Sequence, residues 1–203
     1  MTQPLSDAEI RAATVGEPHA VNSTIHLADY DPAWPGIYDG LAARIHAALG
    51  EDVRLLEHVG STSVPGLAAK PIIDLLLAVP DSADEATYVP PLEQEGFVLR
   101  IRERDWYEHR VLKTPGSNGN LHVFTEGCEE IERMLRFRDR LRSHTGDRVR
   151  YENAKRELAA RTWKYVQNYA DAKSAIVEEI LATSLGEPPS RDVDEEGGPA
   201  GRS

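Results

Sequence analysis

A single cysteine, Cys128, is the first scarcity in this chain, and it excludes an intramolecular disulfide. No apolar run approaches the length of a membrane span, and no secretory signal is recognisable. Both absences point to a cytoplasmic protein with no membrane partner. Positive charge is also in short supply: 23 Lys and Arg face 34 Asp and Glu, for a formal net charge of −11. General nucleic-acid binding needs a basic surface, so the chain is expected to have no nucleic-acid partner. The Gly-x-x-x-x-Gly-Lys-Ser/Thr phosphate loop is missing as well, which excludes a P-loop kinase.

What is present suffices for one domain with a sizeable core: 203 residues, 40% of them hydrophobic. Charge is unevenly spread. Residues 133–173 are rich in Arg and Lys, whereas the carboxyl-terminal end is acidic. A local basic groove on an acidic protein is therefore compatible with the composition. Residues 186–203 combine Gly, Pro, Ser and acids and are expected to form a disordered tail, since they offer little apolar surface to bury. Residues 1–20 read as an extension, and residues 21–185 as the domain.

Ser6 and Glu9 have capping-box spacing, which predicts a short helix in the extension. Thr24–Ala28 alternates as a strand would. Asp31-Pro32 reads as a helix start, Ile37, Leu41, Ile45 and Leu49 recur every fourth residue, and Gly50 closes the helix. Strands are predicted at 53–59, 72–79, 97–102, 109–113 and 120–124, the last two joined by turn residues 114–119. A helix opened by Ser82–Glu85 is expected to break at Pro90-Pro91. From Cys128 on, helical periodicity predicts segments over about 128–141, 147–161 and 162–183. Cys128 itself reads as an ordinary small residue. The fold class is α+β: a small mixed sheet with packed helices, then a helical carboxyl-terminal section.

The informative stretch is His58–Val79. A strand ends in Gly60-Ser61-Thr62-Ser63, a turn of small residues that lets backbone amides and hydroxyls approach a phosphate. Lys70 offers a point charge, and being followed by Pro71 it is biased toward extended backbone. Asp74 is a lone carboxylate in an apolar strand, a costly placement unless it is paired or metal-bound. Its readings are a contact to metal or substrate, or a structural pair with an arginine.

This segment resembles the signature of the GrpB family, a branch of the nucleotidyltransferase superfamily. In that superfamily a hydrophobic residue, Gly and Gly or Ser precede an Asp-x-Asp/Glu on the next strand. Val59-Gly60-Ser61 supplies the first part and Asp74 the second, but Leu76 stands where the second metal-binding acid is usual. The resemblance spans about Leu27 to Leu181. It implies a nucleotidyltransferase-like sheet, Mg²⁺ on Asp74, and a site role for His122 in Asn120-Leu-His-Val-Phe124. It also implies a nucleoside triphosphate or other phosphorylated small molecule as partner. The same family occurs as a domain appended to some dephospho-coenzyme A kinases.

Arg110, Arg136 and Arg138 complete the candidate phosphate contacts, because guanidinium groups suit bidentate oxyanion recognition. Tyr151-x-x-x-Lys155 and Tyr169-x-x-x-Lys173 each share one helical side, which aromatic packing by a lysine stem explains; the two lysines are lesser candidates. Two functions follow. One is an enzyme that transfers a nucleotidyl or phosphoryl group to an unknown acceptor, with Asp74, His122 and Lys70 as its catalytic residues. The other, which Leu76 favours, is a non-catalytic nucleotide- or anion-binding module.

Overall fold

Apolar residues at alternate positions on several short strands demand cover on both sides of a sheet. In the computed structural model, which describes residues 5–18 and 20–184, that sheet has five strands. They are β1 (Leu55–Val59), β2 (Ile73–Val79), β3 (Val98–Glu103), β4 (His109–Lys113) and β5 (Gly119–Thr125), in the spatial order β1-β2-β5-β4-β3. Only β2 and β5 run parallel; the other pairs are antiparallel. The architecture is the α+β arrangement expected from the sequence.

One face carries Leu75, Leu77, Leu112, Leu121 and Val123. It is sealed by α2 (Trp34–Leu49) and α3 (Glu85–Gln94) through Leu41, Ile45, Tyr88 and Leu92. The opposite face is split. At one end Val59, Leu76, Ala78 and Phe124 pack under Ile131 of α4 (Glu129–Ser143). At the other end the same face turns polar, with Asp74, Asn120, Lys113 and His122 on neighbouring strands. α5 (Thr145–Ala159), α6 (Val166–Ala172) and α7 (Ser174–Ser184) follow. Tyr151, Leu141 and Ile180 join with Val64 and Leu67 to tie α4, α5 and α7 to the β1–β2 connection.

Several expectations need correction. Thr24–Ala28 is not a strand; Ala28 forms an isolated bridge with Ala69, and the Ile25 amide donates to the Ala159 carbonyl. The helix predicted from Asp31 starts at Trp34, with the Asp31 carboxylate accepting from the Ala33 amide instead. Pro90 and Pro91 lie inside α3 rather than ending it. Burial of Tyr88, Val89 and Leu92 on both sides outweighs the lost backbone donors. The segment expected as one helix over 162–183 is two, α6 and α7, separated at Lys173, whose amide makes a tighter bond to the Ala170 carbonyl.

The capping box at Ser6 is present and starts α1 (Asp7–Ala13). This part of the extension packs on β3, where the Val15 amide donates to the Arg100 carbonyl. The acidic tail predicted over 186–203 lies outside the described residues. No helix among the described residues is long and apolar enough to cross a membrane.

Candidate functional site

Side chains alternate along a strand, so a residue's parity decides which side of the sheet it serves. Asp74 and Asn120 are register partners on β2 and β5, as are Lys113 and Asn120 on β4 and β5. Their polar groups connect. Lys113 Nζ donates to Asn120 Oδ1, and Asn120 Nδ2 donates to Asp74 Oδ1 at 2.7 Å. His122, two residues on, brings Nε2 to 3.7 Å from the same Asp74 oxygen. These groups open onto a chamber of about 810 Å³ beneath α1, α5 and α6.

The β1–β2 connection supplies the chamber's second wall. Gly60 has φ +69° and leads into a one-turn 3-10 helix, Ser61–Ser63. Gly60, Ser61, Thr62 and Lys70 line the chamber with Asp74 and His122. Thus the turn, the lysine, the acid and the histidine singled out from sequence meet in one place. Thr62 is nevertheless buried, its hydroxyl donating to the Ile72 carbonyl and lying 3.1 Å from His58 Nε2.

The other candidates are elsewhere. The Ser63 hydroxyl donates to the Gly60 carbonyl at 2.6 Å, which pins the turn, and the residue borders a separate hollow with His58 and Arg142. Arg110 has the opposite parity to Val111 and lies buried on the far face, paired with Glu85 and Glu108. Arg138 pairs with Glu57 and Asp139 and donates to the His58 carbonyl. Arg136 is an exposed residue of α4 that does not border the chamber. None of the three arginines reaches the site: Arg110 lies behind the sheet, Arg138 is held in ion pairs, and Arg136 faces solvent.

Four lysines do reach it. Lys70 and Lys113 come from the sheet side, Lys155 from α5 and Lys173 from the break between α6 and α7. Lys155 is fully buried, donates to Ser61 Oγ at 3.0 Å and to the Ala68 carbonyl, and sits over the Tyr151 ring. Lys173 lies over the Tyr169 ring. Burial, with the charge of Lys173 beside it, pushes the Lys155 ammonium down to about 7, against the pull of Glu152. Burial and neighbouring cations lower Lys70 too. Lys113 is lowered by burial although Asp74 opposes the shift.

Lys173 moves the other way: burial would lower it, but Tyr151, Tyr169, Asp74 and Asp171 together raise it. For Asp74 burial would raise the carboxyl, yet His122, the Asn120 amide and Lys173 hold it below its ordinary value.

Sequence reasoning missed Lys113 and Asn120, and ranked Lys155 and Lys173 low. Lys113 and Asn120 carry a readable signal only once strand register is known, since both share Asp74's side of the sheet. Leu76 shares that side too, but it is wholly buried among Val59, Phe124 and Ile131. The position of the usual second acid is thus a core residue.

The donor set does not fit a protein-held Mg²⁺. That ion favours carboxylate and water oxygens, whereas the nearest titratable partner of Asp74 is an imidazole, and Asp74, Glu17 and Glu103 share the lining with four lysines and Arg100. Among the described residues no three His, Cys, Asp or Glu side chains gather as a metal site.

Fold and chamber together define an α+β domain with a lysine-lined recess at one end of a mixed sheet. The chain belongs to the GrpB family, whose description, GrpB protein, matches residues 24–183. A UPF0157 protein of Halalkalibacterium halodurans is 58% identical over 178 residues, covering 88% of this chain and 91% of that one. The crystal structure of conserved protein GrpB from Enterococcus faecalis aligns with a TM-score of 0.68 at 28% identity, covering 79% of this chain and 99% of that one. A protein named dephospho-CoA kinase from Mycobacterium leprae is 26% identical over 191 residues, which is 80% of this chain and 47% of that protein.

Proposed function

We propose that the chamber binds a phosphorylated small molecule of the nucleoside triphosphate class. The observation that carries this reading is the convergence of Lys70, Lys113, Lys155 and Lys173 with Ser61 in one recess of a protein with net charge −11. Desolvated cations that lack enough counter-charge favour a polyanion, and lysine serves phosphate as a point charge. Ile10, Val166 and Tyr165 line the same recess and suit the flat, less polar part of such a ligand. Its size is within the range of small-molecule sites.

A binding domain also agrees with the Mycobacterium leprae relative, in which a segment like this chain is about half of a longer protein. Titration calorimetry with ATP and with inorganic tripolyphosphate, each in EDTA and in Mg²⁺, tests the reading. Saturable one-to-one binding that persists in EDTA is expected. Absence of binding under all four conditions rejects it.

A second reading is catalysis of nucleotidyl or phosphoryl transfer. One observation favours it: His122 lines the chamber, partly exposed, with its Nε2 3.7 Å from Asp74 Oδ1.

A further inference from the structure

Glu103, His109, His122 and Asp74 form a row across β3, β4, β5 and β2. Glu103 Oε2 lies 2.6 Å from His109 Nδ1, and His109 Nε2 lies 3.1 Å from His122 Nδ1. The two rings are within 4° of parallel, with centroids 5.3 Å apart, a separation that suits rings meeting edge to edge through that nitrogen contact. His122 Nε2 stands 3.7 Å from Asp74 Oδ1, beyond hydrogen-bond length. His109 is buried, with its ring against Phe124 and Trp106. Glu103, His122 and Asp74 all border the chamber.

Hydrogen positions follow from what each atom can do. A carboxylate only accepts, so His109 Nδ1 carries the hydrogen that faces Glu103. Burial keeps the His109 ring neutral down to about pH 4, although Glu103 pulls the other way. Its Nε2 therefore holds a lone pair and accepts from His122 Nδ1. Neutral His122 is left with a bare Nε2, next to Asp74 and open to the chamber.

We propose that His122 is the base of a group-transfer site, taking the proton of a hydroxyl group held beside the bound phosphate, with His109 and Glu103 as positioning residues. The proposal rests on the phosphate-binding reading of the chamber and adds the acceptor class, a hydroxyl compound. The acceptor O–H bond breaks and its proton passes to His122 Nε2. The oxygen forms a bond to phosphorus of the bound phosphate anhydride. The anhydride P–O bond breaks, and its electron pair leaves on the departing phosphate, which the lysines neutralise. The imidazolium then faces the Asp74 carboxylate, which stabilises its charge. A base oriented by a second hydrogen-bonded group is the general logic of activated nucleophiles.

Glu103→Gln tests the row without changing its shape. Turned with its NH₂ group toward His109 Nδ1, an amide at position 103 donates there, which reverses every hydrogen along the row and places one on His122 Nε2; turned the other way, its carbonyl accepts and the row is unchanged. Long-range proton–nitrogen NMR of the full chain is expected to show wild-type His122 with its hydrogen on Nδ1, and a shift toward Nε2 in Glu103→Gln. Carbethoxylation of His122 by diethyl pyrocarbonate, followed by mass spectrometry, is expected to slow about tenfold in the variant, the equivalent of one hydrogen bond's net worth.

A wild-type His122 hydrogen on Nε2 overturns the proposal even if the variant fails to fold. So does a folded variant in which NMR shows the new amide donating to His109 Nδ1 while the His122 tautomer and reactivity stay unchanged. Tripolyphosphate binding, measured in parallel on wild type, separates the two claims: its absence sinks the phosphate reading, whereas the tautomer result judges the row alone.

Discussion

Gly60 and Asp74 are in contact: a Cβ built on Gly60 would stand 2.5 Å from Asp74 Oδ2. With φ at +69°, this position is one where a side chain would be strained even in open space. The glycine of the hydrophobic-Gly-Ser pattern thus has a physical role, which is to let the carboxylate lie flat against the turn. Gly60→Ala is expected to destabilise the fold by about 1–3 kcal/mol, combining backbone strain with displacement of Asp74. Urea denaturation measures this, and a midpoint equal to wild type would contradict the contact.

Asp74→Asn separates two roles for the acid. If the lysines bind the polyanion directly, removing the carboxylate's repulsion tightens tripolyphosphate binding in EDTA by roughly 1 kcal/mol, about fivefold. A ligand held through a metal on Asp74 gives the opposite result, with affinity lost in Mg²⁺. The fold should survive, because the amide can still meet Asn120.

Lys113→Met and Lys173→Met are each expected to weaken tripolyphosphate binding about tenfold, the scale of one charge-assisted contact. Arg136→Ala, an exposed site on α4 away from the chamber, should leave affinity unchanged. Equal losses at Arg136 and Lys173 would point to non-specific attraction rather than a site.

Leu76→Asp, which restores the superfamily's second acid on paper, is expected to cost roughly 3–5 kcal/mol and to create no metal site. The reason is local: Leu76 is fully buried in an apolar cluster. A stable Leu76→Asp variant that binds Mg²⁺ would show that this end of the sheet tolerates an acid.

Acid should destabilise the protein well above the carboxylate range. Burial, aided by the charge of Arg142, pushes His58 down to about 4, and burial does the same to His109. Between pH 6.5 and 4 the unfolded chain takes up protons that these native rings refuse, so stability falls as pH drops through that window. By pH 5 each ring accounts for roughly 2 kcal/mol. Denaturant midpoints at pH 7 and pH 5 check this, and a flat dependence would mean that the rings protonate without unfolding cost.

Much of the site could be read locally. Gly60, Ser61, Lys70 and Asp74 lie within 15 residues, and a strand–turn–strand reading brings them together without any knowledge of tertiary structure. His122 needed only the resemblance. Arg110 was misplaced because its sequence neighbourhood looks right, while its parity puts it behind the sheet with Glu85. Lys113 and Asn120 become visible only through the β2–β5–β4 register, which depends on long-range pairing. Lys155 and Lys173 had the plain helical signal of a Tyr four residues earlier, and nothing local reveals that such a lysine is buried. The fold's errors share this cause: Thr24–Ala28 has strand periodicity but finds only one bridging partner. Pro90-Pro91 has the chemistry of a break but is held in a helix by burial around it.

The chamber's roof joins segments far apart in the chain. The Leu5 amide donates to Asp171 Oδ2, and Lys164 pairs with Asp7, each joining partners more than 150 positions apart. Closing the recess therefore carries the loop-closure cost of its most distant contacts. A fragment holding only the central strands would keep Asp74 and His122 yet leave both open to bulk water. Ligand and roof should protect one another, so occupancy ought to register as slower amide exchange in α1 and α6, far along the chain from the turn.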